Sequence, residues 1–284
     1  MRATEGARAV AAAGAVGTSL GLAVDDVIVL QDSTRLALRL LPCDVLARVA
    51  LVEPRSPQFE LDLAQQLTAV GAPVGTLEPR VEPCVYEHDG FTVTLWTFYE
   101  PTSRREHAPG EYVAALERLH AGLREIDLAT PHFTDRVDDA LQLVTSPALT
   151  PALREADRTL LVDTLRSRTR AIGDRRAAEQ RLHGEPHPGN LLPARHGLLF
   201  IDLETCCRGP VEFDLSYVPA PVSERYPGVD EDLLCDCRVL SLAMVAAWRW
   251  DVRDDFPDGE RAGHELVRAL REGPPWPTLD DVMP

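Results

Sequence analysis

The chain contains no lysine: all 29 of its basic residues are arginine. Any permanently cationic side chain that meets a phosphate here must therefore be a guanidinium, which is planar and forked. No apolar run approaches the roughly 20 residues of a membrane-crossing helix, so no membrane partner is expected. Basic charge is scarce relative to acid, and the net charge of −16 excludes nucleic acid, whose binding needs a basic surface to release counterions. The six cysteines, at 43, 84, 206, 207, 235 and 237, include no pair with the two-residue gap of a zinc knuckle. Buried, reduced thiols and a cytoplasmic location are expected. Ala9–Leu20 follows two arginines in the manner of an export signal, but Glu5 breaks the basic start and Ala, Gly and Val dominate. A helix is the better reading.

What is present is ordinary globular material: 284 residues, 45% hydrophobic and 26% charged. That is enough for one large or two medium domains. Residues 4–20 are Ala-rich and predict a helix. Val27–Leu30 is a short strand candidate, and Gln31–Thr34 supplies turn residues. Leu36, Leu38 and Leu40 alternate with Arg35, Ala37 and Arg39, as in a half-buried strand. Asp44–Val52 is apolar on both faces except for Arg48. A buried arginine needs a partner, and the helix predicted from Ser56-Pro57 to Gly71 offers one. Its stripe is Leu63, Leu67 and Val70, with Glu60 on the same face. The alternative is a partly exposed Arg48 and a first-turn glutamate that complements the helix dipole.

Pro73–Pro83 reads as a connection. Cys84–Glu87 and Phe91–Phe98 flank a hairpin turn at His88-Asp-Gly90. The sum is a small antiparallel sheet of about five strands with one inserted helix, making a first domain of residues 1–98. From Tyr99 an exit linker leads to Pro109, and the remainder, 99–284, is mainly helical. Helices are expected from Pro109 with Tyr112, Leu116, Leu119, Leu123 and Ile126 on one face, and over 134–145, 151–172, 230–250 and 258–272. His120 is read as a packing residue, and the proline-rich tail 273–284 as extended.

One stretch stands apart. Residues 182–191 place His183, Glu185, His187 and Asn190 among two prolines and two glycines, which excludes a regular helix or a central strand. Gly197–Leu203 then reads as an apolar strand delivering Asp202, with a strand pair between Leu191 and Leu203. A rigid polar loop beside a strand that ends in a carboxylate suggests magnesium and phosphate chemistry.

The order of these motifs carries a resemblance. Protein kinases place a metal-binding Asn five residues after the Asp of His-Arg-Asp. Here His183-Gly184-Glu185 is followed five residues on by Asn190, and the next strand ends in Asp202. His-Gly-x-x-His-x-x-Asn, then Ile-Asp-x-Glu, then Gly-Pro-x-x-x-Asp-Leu resembles the aminoglycoside phosphotransferase and choline kinase-like family. The resemblance implies an α+β, two-lobed protein kinase-like fold and an ATP- and Mg²⁺-dependent phosphotransferase acting on a small hydroxylated acceptor. It further implies Glu185 at the acceptor, Asn190 and Asp202 on the metal with Glu204 beside them, and His183, His187 and Asp214 bracing the loop. Arg48 and Glu60 take the places of the strand lysine and its helix partner, and adenine docks near Trp96, Phe98 and Tyr99.

Three departures accompany it. No glycine lies between Val27 and Leu40, so a glycine-rich lid is missing and Ser33 and Thr34 are the local phosphate donors. Arg48 replaces lysine, and Glu185 replaces aspartate. A pseudokinase that binds nucleotide without transfer is therefore one alternative. A metal hydrolase or deaminase on His183, Glu185 and His187 is another, although the later Pro-Cys-x-x-Cys of zinc deaminases is absent. Acidic stretches at Asp230–Asp232 and Asp254-Asp255 fit a cationic acceptor or simply solvated helix ends. Oligomeric state is not legible.

Overall fold

The computed structural model describes residues 3–32, 35–52, 57–100, 107–195 and 197–283. Ser33, Thr34 and Ser56 therefore lie outside the described residues. The chain divides into two compact units. One comprises Met1–Arg105 with Leu192–Glu204, the other Glu106–Leu191 with Thr205–Pro284.

The first unit opens with helix α1 (Ala3–Ser19), followed by β1 (Val24–Asp32), β2 (Leu36–Pro42), β3 (Val45–Leu51), α2 (Gln58–Ala69), β4 (Tyr86–His88) and β5 (Phe91–Thr97). The five strands form one antiparallel sheet in the order β1-β2-β3-β5-β4. Alternation decides which side chains go inward. Leu36, Leu38 and Leu40 join Val45, Ala47, Val49, Phe91, Val93 and Leu95 on one face, where Ala9, Ala12, Ala13 and Val16 of α1 cover them. The small residues of α1 let it lie close to the sheet: a Cβ at Gly17 would meet Val24 Cγ2 at 2.9 Å and Leu40 Cδ1 at 3.0 Å. Strand β1 runs longer than the Val27–Leu30 expected, because as an edge strand it pairs along β2 without a burial pattern of its own.

Arg48 belongs to the other face of β3 and pairs across the ladder with Thr94. Helix α2 buries Glu60, Leu61, Leu63, Ala64 and Leu67. Val70, expected on this stripe, is instead the helix C-cap and exposed. Gly71 follows in the left-handed region at φ 72°. The amides of Gly71 and Ala72 return to the carbonyls of Thr68 and Leu67 at 3.1 and 2.9 Å, ending the helix.

The hairpin β7 (Leu191–Ala194) and β8 (Gly197–Phe200) corrects the sequence-based division, which assigns 197–204 to the helical part. Phe200 N donates to Pro73 O at 2.8 Å, and Gly75 N donates to Phe200 O at 2.9 Å. Those backbone bonds tie the segment to the first unit. The strand also stops at Phe200, short of the Leu203 expected, and a 3₁₀ turn over Leu203–Thr205 follows.

In the second unit, α3 (Pro109–Glu125), α4 (Phe133–Thr145), α5 (Glu155–Arg175), α8 (Glu231–Arg249) and α9 (Gly259–Glu272) agree with the periodicity. The hairpin-like pair β6 (Glu179–Leu182) and β9 (Cys207–Pro210) is antiparallel, and the short helices α6 (Val211–Leu215) and α7 (Ala220–Ser223) follow it. Helix α8 is buried nearly all round, from Leu233 to Ala247, and packs with α4, α5 and α9 in one core. Its start is fixed by Asp230, whose side chain accepts from the amides of Asp232 and Leu233 at 3.0 Å. The tail is not wholly extended, for Leu279–Val282 forms a helical turn, α10, with a Thr278/Asp281 capping box. All six cysteines are free thiols; Cys206, Cys207 and Cys237 are buried as expected, whereas Cys235 is exposed and Cys43 and Cys84 are half-buried. Among the described residues no helix is long and apolar enough to cross a membrane.

Candidate active site

In the first unit, the far face of the sheet, helix α2 and the segment after β8 converge on an ionic cluster. Arg48 donates through Nη1 to Glu60 Oε1 and through Nη2 to Asp202 Oδ1 at 2.6 Å. Glu60 is only 3% exposed, a burial that would be costly for a lone carboxylate. Its second oxygen accepts from Arg35 Nη1 at 3.1 Å, and Arg35 Nη2 donates to Glu204 Oε2. Burial works against the charge of Arg48, but Glu60 and Asp202 hold its guanidinium above the ordinary arginine range.

Asp202 sits at φ 65°, a left-handed conformation that short polar side chains tolerate better than branched ones. The bend turns the chain from β8 into the 3₁₀ turn and sets Asp202 and Glu204 beside Glu60. Ligand oxygens of these three acids lie within 4.8 Å of one another. They are hard oxygen donors, the type that magnesium selects. Glu204 is the outermost, with 40% of its side chain exposed. Loss of water around its carboxyl, reinforced by Asp202 and partly offset by Arg35, still pushes it up to about 7.

The adenine candidates are more occupied than the sequence suggests. Thr97 N donates to Thr76 O at 2.9 Å, Glu78 N donates to Leu95 O at 3.1 Å, and Leu77 bridges to Trp96. Trp96 is buried, with its indole N–H on Thr94 Oγ1 at 2.9 Å. Backbone beyond this ladder begins at Phe98, whose ring lies under the Arg39 guanidinium at 4.0 Å. The Tyr99 hydroxyl is bonded to Thr76 Oγ1 at 2.8 Å.

In the second unit the loop after β6 is held from below. Asp214 of α6, wholly buried, accepts from His183 N at 2.8 Å and from Gly184 N at 2.7 Å. Its Oδ2 also meets His120 Nε2 at 2.9 Å, and His120 Nδ1 meets the Tyr226 hydroxyl at 2.7 Å. A carboxylate can only accept, so Nε2 of His120 carries the hydrogen. His120, read from sequence as a packing residue, thus also braces the loop through Asp214. Gly184 is at φ 93°, and a Cβ there would collide with the carbonyl of Thr205. Thr205 Oγ1 donates to His183 O at 3.1 Å.

Further along, His187 caps the 3₁₀ turn Pro188–Asn190 by accepting from Gly189 N at 3.1 Å. Asn190 Nδ2 donates to Glu185 O at 3.0 Å; its side-chain carbonyl is a hard oxygen that can only accept or ligate. The Glu185 carboxylate is not solitary: Arg136 of α4 donates through Nη2 to its Oε1 and through Nη1 to Gly184 O at 3.1 Å. Trp248 packs its ring 5.0 Å from that guanidinium, and Tyr112 donates to Pro186 O. Arg35, Arg136 and Tyr112 all escape sequence reasoning, since nothing local distinguishes them from other arginines and tyrosines on amphipathic elements.

A model of the phosphotransferase enzyme family matches residues 21–234. Among solved structures, the chain is similar to the amicoumacin kinase hAmiN in complex with AMP-PNP, Ca²⁺ and Ami, at 12% identity and TM-score 0.72 over 100% of each chain. It is similar to choline kinase LicA from Streptococcus pneumoniae, at 15% identity and TM-score 0.67 over 91% of this chain and 98% of that one. The GDP and kanamycin complex of APH(2")-IIia aligns at 16% identity and TM-score 0.66 over 90% and 97%. These likenesses establish the protein kinase-like α+β fold. No match is found among curated protein sequences.

Proposed function

Because the chain belongs to the phosphotransferase enzyme family, we propose that it transfers the γ-phosphate of ATP to a hydroxyl of a small molecule. The observation that carries this reading is the double engagement of Arg48, which ties the helix carboxylate Glu60 to the strand-end carboxylate Asp202. Phosphoryl transfer asks a protein mainly to position groups and neutralise phosphate charge. Arg48, steadied by Glu60, offers a forked donor for phosphate oxygens. Asp202 and Glu204 would hold Mg²⁺, which when bound neutralises charge on those oxygens. Glu185 has Oε1 on Arg136, leaving Oε2 to orient the acceptor hydroxyl or accept its proton. Adenine would meet backbone from Phe98 onward.

Relatives named for choline and complexed with kanamycin support a hydroxylated, cationic acceptor. The acidic stretches of this chain add nothing to that reading: Asp254 pairs with Arg249 at 3.1 Å and Asp230 caps α8. The test is a radiolabelled-ATP screen with Mg²⁺ against aminoglycosides, amino alcohols and sugars. A labelled product should form with at least one pool and vanish in Asp202→Ala. Nucleotide binding without product or ADP from any pool would replace transfer by a nucleotide-binding role.

A further inference from the structure

We infer that Arg35 is a second phosphate-binding residue of the nucleotide site, acting with Arg48 across the shared carboxylate of Glu60. The inference rests on the phosphotransferase reading and extends it to a residue that the family resemblance does not assign.

The two arginines are engaged in the same way. Each gives one guanidinium arm to a different oxygen of Glu60, Arg48 to Oε1 and Arg35 to Oε2. Each gives another arm to one end of the short segment Asp202-Leu203-Glu204, Arg48 to Asp202 and Arg35 to Glu204. One arginine neutralises the charge of Glu60; the second satisfies the other carboxylate oxygen and adds a positive charge beyond that neutralisation. The second guanidinium brings a charge that can serve another anion. Its side chain is 26% exposed, so a ligand can reach it.

Charge favours the same conclusion. Among the described residues the cluster holds two arginines and three acids. With a divalent ion on the acids these five groups are net positive, and the four that remain without Arg35 are merely neutral. The chain has no lysine, and no glycine between Val27 and Leu40 to form a backbone cradle. Side-chain cations must therefore do more of the work of binding a triphosphate. Asp202 and Glu204 occupy arms that phosphate oxygens would otherwise take, so metal and nucleotide should assist one another: an ion drawing on the carboxylates releases the guanidinium arms.

Calorimetric titration of the full chain tests this, using ATP with and without Mg²⁺ and adenosine as the phosphate-free probe. Arg35→Ala should weaken Mg·ATP by about ten- to a hundredfold, as loss of charge-assisted hydrogen bonds implies, and leave adenosine unchanged. Arg35→Lys should fall between. Glu204→Gln should bind metal-free ATP more tightly than wild type, by roughly two- to fivefold, because a competitor for Arg35 is withdrawn. If Arg35→Ala does not fold, the lysine and Glu204 variants carry the test. Equal affinities for ATP in the Arg35 variants and wild type overturn the inference and leave the nucleotide reading standing. Failure of wild type to bind either ATP or adenosine overturns both.

Discussion

The Arg136 guanidinium grips the loop after β6 at two successive residues, donating to the carboxylate of Glu185 and to the carbonyl of Gly184. This bears on the role proposed for Glu185, which the family resemblance sets in the place of an aspartate. The extra methylene lets the carboxylate span to a cation on α4, and that cation is itself set against Trp248. Burial opposes the charge of Arg136, but Glu185 holds it above the ordinary range.

Replacing Arg136 by methionine should therefore strand Glu185. We expect a fall in kcat of about ten- to a hundredfold with the KM for ATP little changed, and a stability loss of about 2–3 kcal/mol. Steady-state kinetics and urea denaturation read the two effects separately. Glu185→Asp should lower kcat in the same direction, since shifts of about 1 Å in a reacting group can cost on the order of a hundredfold.

Asp214 collects three donors in a site without solvent: His183 N, Gly184 N and His120 Nε2. Asp214→Ala leaves all three unsatisfied, with an expected cost of about 3–5 kcal/mol. A urea midpoint close to that of wild type would contradict this account of the loop.

At Gly184 both backbone conformation and space are restrictive, with φ at 93° and the Thr205 carbonyl where a Cβ would lie. Gly184→Ala should cost more than about 2 kcal/mol. By contrast Gly173→Ala, inside α5 with nothing near the new Cβ, should stabilise by about 0.5–1 kcal/mol. Thermal melts of the two variants give opposite signs.

Mg·ATP should raise the melting temperature of the wild type, by an amount corresponding to about 2.7 kcal/mol at a hundredfold excess over Kd. Chelation of the metal should remove most of the shift, and Asp202→Asn should abolish its metal-dependent part. A shift insensitive to both would detach Asp202 from the metal.

One acid of the ladder beside Trp96 shapes the pH response of the fold. Burial alone would raise Glu78, but the side-chain and backbone hydrogen bonds from Arg80 bring it below its ordinary value of 4.5. A carboxylate depressed in the folded state stabilises above the unfolded value, and that contribution is lost as pH falls through the folded one. The stability gap between wild type and Glu78→Gln should thus be widest at neutral pH and close on acidification below 4.5. A gap that widened towards acid would reverse the sign.

Much of this arrangement was legible beforehand because it is written in local pattern. The alternation around Arg48 and the helical placement of Glu60 are enough to suggest their pairing, and the prolines and glycines of 182–191 announce a shaped loop. Contacts at long sequence range were not legible. Arg35 looks like any exposed residue of a half-buried strand, and its two acids are 25 and 169 residues away. His120 shows only an inward position on α3; that its ring reaches Asp214, 94 residues on, depends on tertiary packing. Val70 misled for a different reason: it continues the apolar stripe of α2, but the left-handed Gly71 turns the chain before that stripe can be buried.

The division of the first unit into Met1–Arg105 and Leu192–Glu204 has a consequence for biosynthesis. A ribosome adding about 5–20 residues per second releases the sheet, Arg48 and Glu60 well before the hairpin that brings Asp202. While the whole of Glu106–Leu191 is translated, over several seconds, Arg48 and Arg35 have Glu60 at hand but not yet Asp202 or Glu204. Glu60 is then more than a partner in the finished site: it is the counter-ion that makes the unfinished one tolerable.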